Sequence, residues 1–455
     1  MSATIFFDAL DLSITQIALP SIQESLQVPT STLPWIAAAY VVTYGGFLLL
    51  GGRASDLLGA RPVLLTGLGV FGVASLACGL ATDTAVLVGA RAVQGVGAAL
   101  TVPAAVAVLA TTFVDDRART KAFGIFSAAA ASGFTAGLVL GGVITSGFSW
   151  RWIFLAKVPA VALTLLAAVR AVPRSPRHRA GGYDLTGGVT ITAVAVLLTF
   201  GVTRAGSPDT AVPGVGVPIA TAFVLFGVFF AVERRASAPL VPKQLLTRGI
   251  IAADVAASTV LAAPFGVSYI VTLYLQDVLH RTPWQTALTL VPGSVLCVVV
   301  SRCLAPFLID RLGLRAVYAG GLVTVAFGDA LLLALRASNG TWLVTTATVV
   351  SFGIGMGLAY PAATIGGVHA VAADDRGAAA GLNNSALQIG GAIGLALVGT
   401  AVSIGLGGAA PGEAGAEAAQ RAVWLGGLAA TVLPLVGAAV VAVGLPGQVR
   451  PERVT

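Results

Sequence analysis

The 455-residue chain is 56% hydrophobic and only 10% charged, with a mean hydropathy of +0.92. Soluble domains carry roughly 25% charged residues, so this composition excludes a string of soluble domains, and it is too apolar for disorder. The net charge of +7 is carried in short loops between apolar runs, which makes it a topology signal and not a nucleic-acid footprint. The chain reads as an all-α integral membrane protein living in a lipid bilayer.

A bilayer crossing takes about 20 mostly apolar residues. Fourteen such runs are predicted, at 3–20, 34–52, 62–81, 85–110, 122–146, 152–171, 185–203, 214–232, 249–276, 286–309, 316–335, 341–368, 378–405 and 422–445. The first lacks the charged leader and small-residue cleavage pattern of a secretory signal, so it is taken as a true span. The loops leave no room for a catalytic domain, and the three cysteines and three histidines form no metal or nucleophile spacing. The sequence therefore predicts no enzyme activity, no catalytic residue and no metal. An even count puts both termini on one side. Loops on one face hold eighteen Arg and Lys residues, while the other face holds Arg151, Arg204, Arg281, Arg336 and Arg421. The rich face is cytoplasmic.

The halves of the chain echo one another. Gly52-Arg-Ala-Ser-Asp56-Leu-Leu-Gly59-Ala-Arg61 follows the second span, and Ile309-Asp310-Arg311-Leu-Gly313 follows the tenth. With the seventh and eighth spans set aside, these are equivalent positions in two six-helix repeats, an arrangement that belongs to transporters. The expected domains are a six-helix bundle at 1–171, a linker with two extra helices at 172–248, and a second six-helix bundle at 249–455.

Several segments carry a more specific likeness. The first span reads Leu10-Asp11-Leu-Ser13-Ile-Thr-Gln16-Ile-Ala-Leu-Pro20, the fourth contains Arg91-Ala-Val-Gln94-Gly95, and the fifth spaces Gly124, Gly133, Gly137, Gly141 and Gly142. Trp150-Arg-Trp-Ile-Phe-Leu-Ala-Lys157-Val-Pro159 opens the sixth. In these segments the chain resembles the major facilitator superfamily, and within it the bacterial fourteen-span drug:proton antiporters. Leu138 stands where the antiporter signature has Pro, and Lys157 where Asn is usual. The resemblance implies that the Gly52–Arg61 loop, with Gly52, Asp56, Gly59 and Arg61, and its copy at Asp310 and Arg311 form a gating latch. It implies an antiport role for the five glycines and a coupling role for Arg91. Physically, Gly52 and Gly59 permit a tight turn, and glycines at i, i+4 and i+8 let another helix lie close.

Asp8, Asp11, Asp254 and Asp329 lie inside predicted spans, where ionisable groups are functional candidates by default. Asp8 and Asp11 share a helix face. The expected order for proton coupling is Asp11, Asp8, Asp329, with Arg91 as partner of Asp11 and Asp254 reaching water. A carboxylate favours cationic substrates, and Trp35, Tyr40, Tyr44, Tyr269 and Tyr274 offer cation–π faces. Gln94, Asn384 and Gln388 are expected to line the same cavity. The leading reading is a proton-driven exporter of small hydrophobic drugs, a functional monomer without cofactor in a bacterial cytoplasmic membrane. A symporter or uncoupled facilitator of another solute, and a non-transporting sensor, are the alternatives. Reporter fusions after Arg61, Arg119, Arg177 and Arg376 should read cytoplasmic, and those near Asp83, Asp209 and Glu413 external. Two neighbouring loops reporting the same side would overturn the fourteen-span topology.

Overall fold

The structure, a computed structural model, describes residues 1–29, 31–113, 115–172, 185–206, 212–235, 241, 243–335, 340–368, 371, 376–407 and 415–445. Among the described residues, fourteen helices are long and apolar enough to cross a membrane. In chain order they are α1 (Ser2–Leu26), α2 (Pro34–Leu58), α3 (Ala60–Gly79), α4 (Thr84–Thr112), α5 (Asp116–Gly147), α6 (Trp152–Ala171) and α7 (Leu185–Arg204). They continue with α8 (Val212–Arg235), α9 (Arg248–Val278), α10 (Pro283–Leu312), α11 (Leu314–Ala334), α12 (Gly340–Val368), α13 (Arg376–Leu406) and α14 (Ala416–Gly444). Each coincides with one predicted run. The clearest difference is α1, which continues through Pro20 to Leu26 instead of ending there. A proline removes one donor to the carbonyl four residues back, and here the helix carries on until Gln27 closes it at φ 50°.

The chain folds into two compact units. The first comprises Met1–Leu198, Pro218–Leu240 and Thr282–Ala287, and the second comprises Thr199–Val217, Val241–Arg281 and Leu288–Thr455. Helix α7 thus divides after Leu198. Helix α8 buries only Ala222, Phe229 and Glu233 and presents Phe223, Val224 and Phe226 outward, as an apolar helix facing lipid can.

Lipid is as apolar as leucine, so helices in a bilayer are held by close backbone approach and hydrogen bonds rather than by water exclusion. The first unit follows that rule. Gly133, Gly137 and Gly141 of α5 lie against Phe6, Leu10 and Ile14 of α1, i, i+4, i+8 against i, i+4, i+8, and a Cβ at Gly137 would strike Ser13 Oγ and the Leu10 carbonyl. Ser13 Oγ donates across this seam to Phe134 O at 2.8 Å. Gly124 faces nothing, and Gly142 meets the Pro283–Ala287 turn instead. Helices α2 and α4 approach where Gly51 meets Ala99 O and Gly95 meets Tyr40 O, with Thr43 Oγ1 donating to Ala92 O at 2.8 Å.

The second unit repeats these devices. Gly390 and Gly394 of α13 lie against Ser258 and Ala262 of α9, as the α5 glycines lie against α1. Gly59 turns the chain between α2 and α3 at φ 93°, and Gly313 turns it between α10 and α11 at φ 83°. Two residues on, Arg61 donates to Val169 O at the end of α6 (2.6 Å), and Arg315 donates to Ala442 O at the end of α14. The same turn and the same arginine clamp therefore occur in both units.

The α1–α5 seam yields a stability prediction. Gly137→Val should lower the thermal stability of the purified protein by about 1–3 kcal/mol, the usual range for overpacking, whereas Gly124→Ala should leave it unchanged or slightly raised. Equal melting temperatures for the two variants would contradict the close approach.

Candidate functional site

The first unit contains a buried charged cluster centred on Asp11. Its carboxylate is paired with two cations from different helices, Arg91 Nη1 at Oδ2 and Lys157 Nζ at Oδ1. Gln94 Nε2 adds a third donor to Oδ1 at 3.1 Å. Asp11, Arg91 and Gln94 are wholly inaccessible, and Lys157 is 4% exposed. Removing one partner from such a buried pair typically costs about 3–5 kcal/mol, because the other charge is stranded.

Local structure aims each group. Arg91 and Gln94 are one turn apart on α4, and Arg91 Nη1 donates to Gln94 Oε1 at 2.8 Å while its Nε donates to Ile36 O at 2.9 Å. The guanidinium also lies 4.5 Å above the Tyr40 ring, a favourable cation–π position. Cys78 of α3 reaches Gln94 Oε1 at 3.7 Å. Lys157 stands beside a one-residue lapse in the helical hydrogen bonding of α6, where Ala156 keeps helical dihedrals. Pro159 has no N–H for the Leu155 carbonyl. Ser75 Oγ donates to Phe154 O at 3.0 Å, and the Phe154 ring lies 4.9 Å from Lys157 Nζ.

Asp8, one turn before Asp11, accepts the Tyr40 hydroxyl, with Tyr44 beside the pair and its ring 5.9 Å from that of Tyr40. Asp8, Asp11, Arg91, Gln94, Tyr40 and Tyr44 are thus brought together as the sequence suggested. A cavity of about 350 Å³ in the same unit is lined by Thr4, Leu64, Val108, Thr112 and Val172, and Thr4 is one turn from Asp8 on α1. Lys157 is the member the sequence reading missed. The signal was available, since a charged residue inside a span needs a partner whatever its sign.

Other predicted residues lie elsewhere. Asp329, Tyr269, Asn384 and Gln388 belong to the second unit, and Trp35 is half-buried at the start of α2. Asp329 is fully buried on α11, next to Ser351 of α12, and neither of its oxygens has a hydrogen-bond partner among the described residues. Arg336, seven residues further along the chain, is outside the described residues. Asp254 does not reach water freely. It is 9% exposed and accepts Asn383 Nδ2 at 2.9 Å, so Asn383 makes the contact while its neighbour Asn384 is half-buried. Gly52 is not part of a turn but sits inside α2, where a Cβ would meet only Pro103 at 4.0 Å. The turn is made by Gly59 alone. The Asp56 side chain lies outside the described residues. Asp310 is exposed, and Arg311 lies 4.3 Å over the Phe307 ring.

The cluster predicts a stability order. Asp11→Asn leaves two cations facing a neutral amide and should cost about 3–5 kcal/mol, while Lys157→Met leaves Asp11 paired with Arg91 and should cost less. Adding Lys157→Met to Asp11→Asn should restore part of the loss in thermal unfolding. Strictly additive losses would mean that the two side chains do not interact.

Comparison with known proteins points the same way. The family model described as Major Facilitator Superfamily matches residues 1–395 and 293–452. The chain is 35% identical over 401 residues to a lincomycin resistance protein of Streptomyces lincolnensis, covering 87% of this chain and 81% of the relative. It is 36% identical over 411 residues to a cephamycin export protein of Amycolatopsis lactamdurans, covering 89% and 84%. Among solved structures, a bacterial homologue of the human lysosomal transporter Spinster, inward-facing and unoccupied, superposes with a TM-score of 0.67 at 15% identity, covering 97% of this chain and 94% of that one.

Proposed function

This chain belongs to the Major Facilitator Superfamily, and we propose that it exports small hydrophobic, cationic or amphiphilic drugs or antibiotics in exchange for protons. It is a multi-pass membrane transporter whose relatives include antibiotic-resistance and antibiotic-export proteins. Export from a bacterial cell through the cytoplasmic membrane, by alternating access of a monomer, is the finer reading.

The observation that carries it is the Asp11 cluster. A carboxylate and two cations shut away from water are costly to keep in a membrane and mark ion or substrate pathways. Arg91 and Lys157 both depend on one carboxylate, so any cation that binds Asp11 must displace one of them. That competition is what an antiporter needs, because substrate and proton must exclude one another. A largely apolar cavity lies by Thr4, one turn from Asp8 on α1, and Asp8 with Tyr40 and Tyr44 offers a second acidic, aromatic contact one turn from Asp11. We assign Asp329 a reserve proton-binding role in the second unit. The latch role of Asp56, Arg61, Asp310 and Arg311 is retained as part of the proposal.

The driving force is adequate. One proton moved down a pH gradient of one unit releases about 1.4 kcal/mol, and each tenfold substrate gradient costs about 1.4 kcal/mol, so each pH unit sustains a tenfold gradient. Inverted vesicles containing the protein and given an acid-inside gradient should accumulate members of a panel of dyes and antibiotics. Accumulation should collapse when an ionophore dissipates the gradient. Vesicles that accumulate no compound, or that do so equally well without the gradient, would refute proton-driven export.

A further inference from the structure

We infer that the proton exchanged for substrate leaves from the Nζ of Lys157, and that Asp11 stays a carboxylate throughout. The inference rests on the antiport reading above and names the group that carries its proton.

Asp11 is shared by two cations of different chemistry. Arginine keeps its charge under all conditions a protein meets, whereas a lysine deprived of its counter-ion in a dry place can give up its proton. Their anchoring differs in the same sense. Arg91 is fixed by the Ile36 carbonyl, Gln94 Oε1, Asp11 Oδ2 and the Tyr40 ring. Lys157 donates to Asp11 Oδ1 and otherwise rests on the Phe154 ring. An arriving cation therefore displaces the weakly tethered lysine and leaves the arginine where it is. The groups around this exchange come from every helix packed on it: Asp8 from α1, Tyr40 from α2, Cys78 from α3, Arg91 and Gln94 from α4, and Lys157 itself from α6. Asp8, one turn away, accepts the Tyr40 hydroxyl.

The step balances. A carboxylate paired with an ammonium takes up a substrate cation, the Nζ–H bond breaks, its electron pair remains on nitrogen, and the proton passes to water. Products are a carboxylate paired with the substrate cation, a neutral amine and one released proton. The total charge of the cluster is the same before and after, so loaded and empty carriers cross with equal charge. Exchange of a monovalent cation is then electroneutral and driven by the pH gradient.

The test uses purified full-length protein in weakly buffered detergent solution, with tetraphenylphosphonium and ethidium as probes. Wild type should release about one proton per cation bound, with cation affinity rising roughly tenfold per pH unit, as one-for-one competition requires. Lys157→Met should still bind the cation, release no proton and show pH-independent affinity. In proteoliposomes it should carry the cation down a membrane potential but lose uptake driven by the pH gradient. Lys157→Arg substitutes a cation that cannot deprotonate, so cation affinity should fall at least tenfold and release should vanish. Wild-type proton release from Lys157→Met overturns the inference, and so does wild-type release from Lys157→Arg should the methionine variant not fold. A wild-type protein that binds neither probe, or binds without release, overturns it as well. Gradient-driven uptake with proton release indifferent to position 157 would sink this inference alone. Absence of gradient-driven uptake for every compound would sink the export reading itself.

Discussion

A carboxylate sealed from water survives only if donors replace its hydration, and for Asp11 they come from two other helices. Arg91 and Gln94 arrive from α4 and Lys157 from α6. None of the three would reach if α1 stood a few ångströms away. The position of α1 is in turn set by the glycine face of α5, which brings Gly133, Gly137 and Gly141 onto the backbone of Phe6, Leu10 and Ile14. Bilayer helices gain nothing from excluding water from one another, so this steric fit and the Ser13–Phe134 hydrogen bond hold the seam. The glycines of the antiporter-like register thus act on the charged site through geometry, by fixing the helix that carries both Asp8 and Asp11. Leu138, in place of the signature proline, is buried within this helix and leaves it unbroken from Asp116 to Gly147.

Much of this was legible in the sequence because the physics is one-dimensional. The length of an apolar run and the charges that end it specify a span, so all fourteen helices were found, with edges off by a few residues. The Asp11–Arg91 pairing was legible too. The two residues lie at similar depth, and the resemblance implies that the first and fourth spans are neighbours. Pro20 misled for a related reason. It is a sound stop signal by sequence, yet a proline removes only one backbone donor, and α1 continues past it to Leu26.

What escaped depended on three-dimensional detail. Lys157 lies 146 residues from Asp11 and stands in a segment where the resemblance supplies a neutral residue, so only the folded chain reveals where its ammonium goes. The contact of Asp254 with Asn383 rather than Asn384 is a matter of rotation about one helix axis. Gly52 read as a turn because it opens a loop motif, but a glycine in a span is as often a point of close packing, and the neighbouring Gly51 is the one pressed against Ala99.

The two units repeat in backbone and diverge in charge. Glycine faces on α5 and α13, positive-φ turns at Gly59 and Gly313, and arginine clamps at Arg61 and Arg315 occur in both. These devices solve the problem of packing helices in lipid, a problem both units share. Among the described residues, the buried ionisable groups do not repeat. The first unit gathers two acids and two cations into one network. In the second, Asp254 is held by an amide and Asp329 has no hydrogen-bond partner among the described residues. Packing alone would not select this asymmetry, since a buried ion pair stabilises no better than the apolar groups that could replace it. The backbone devices therefore belong to the fold, and the uneven charges are what the proposed exchange requires.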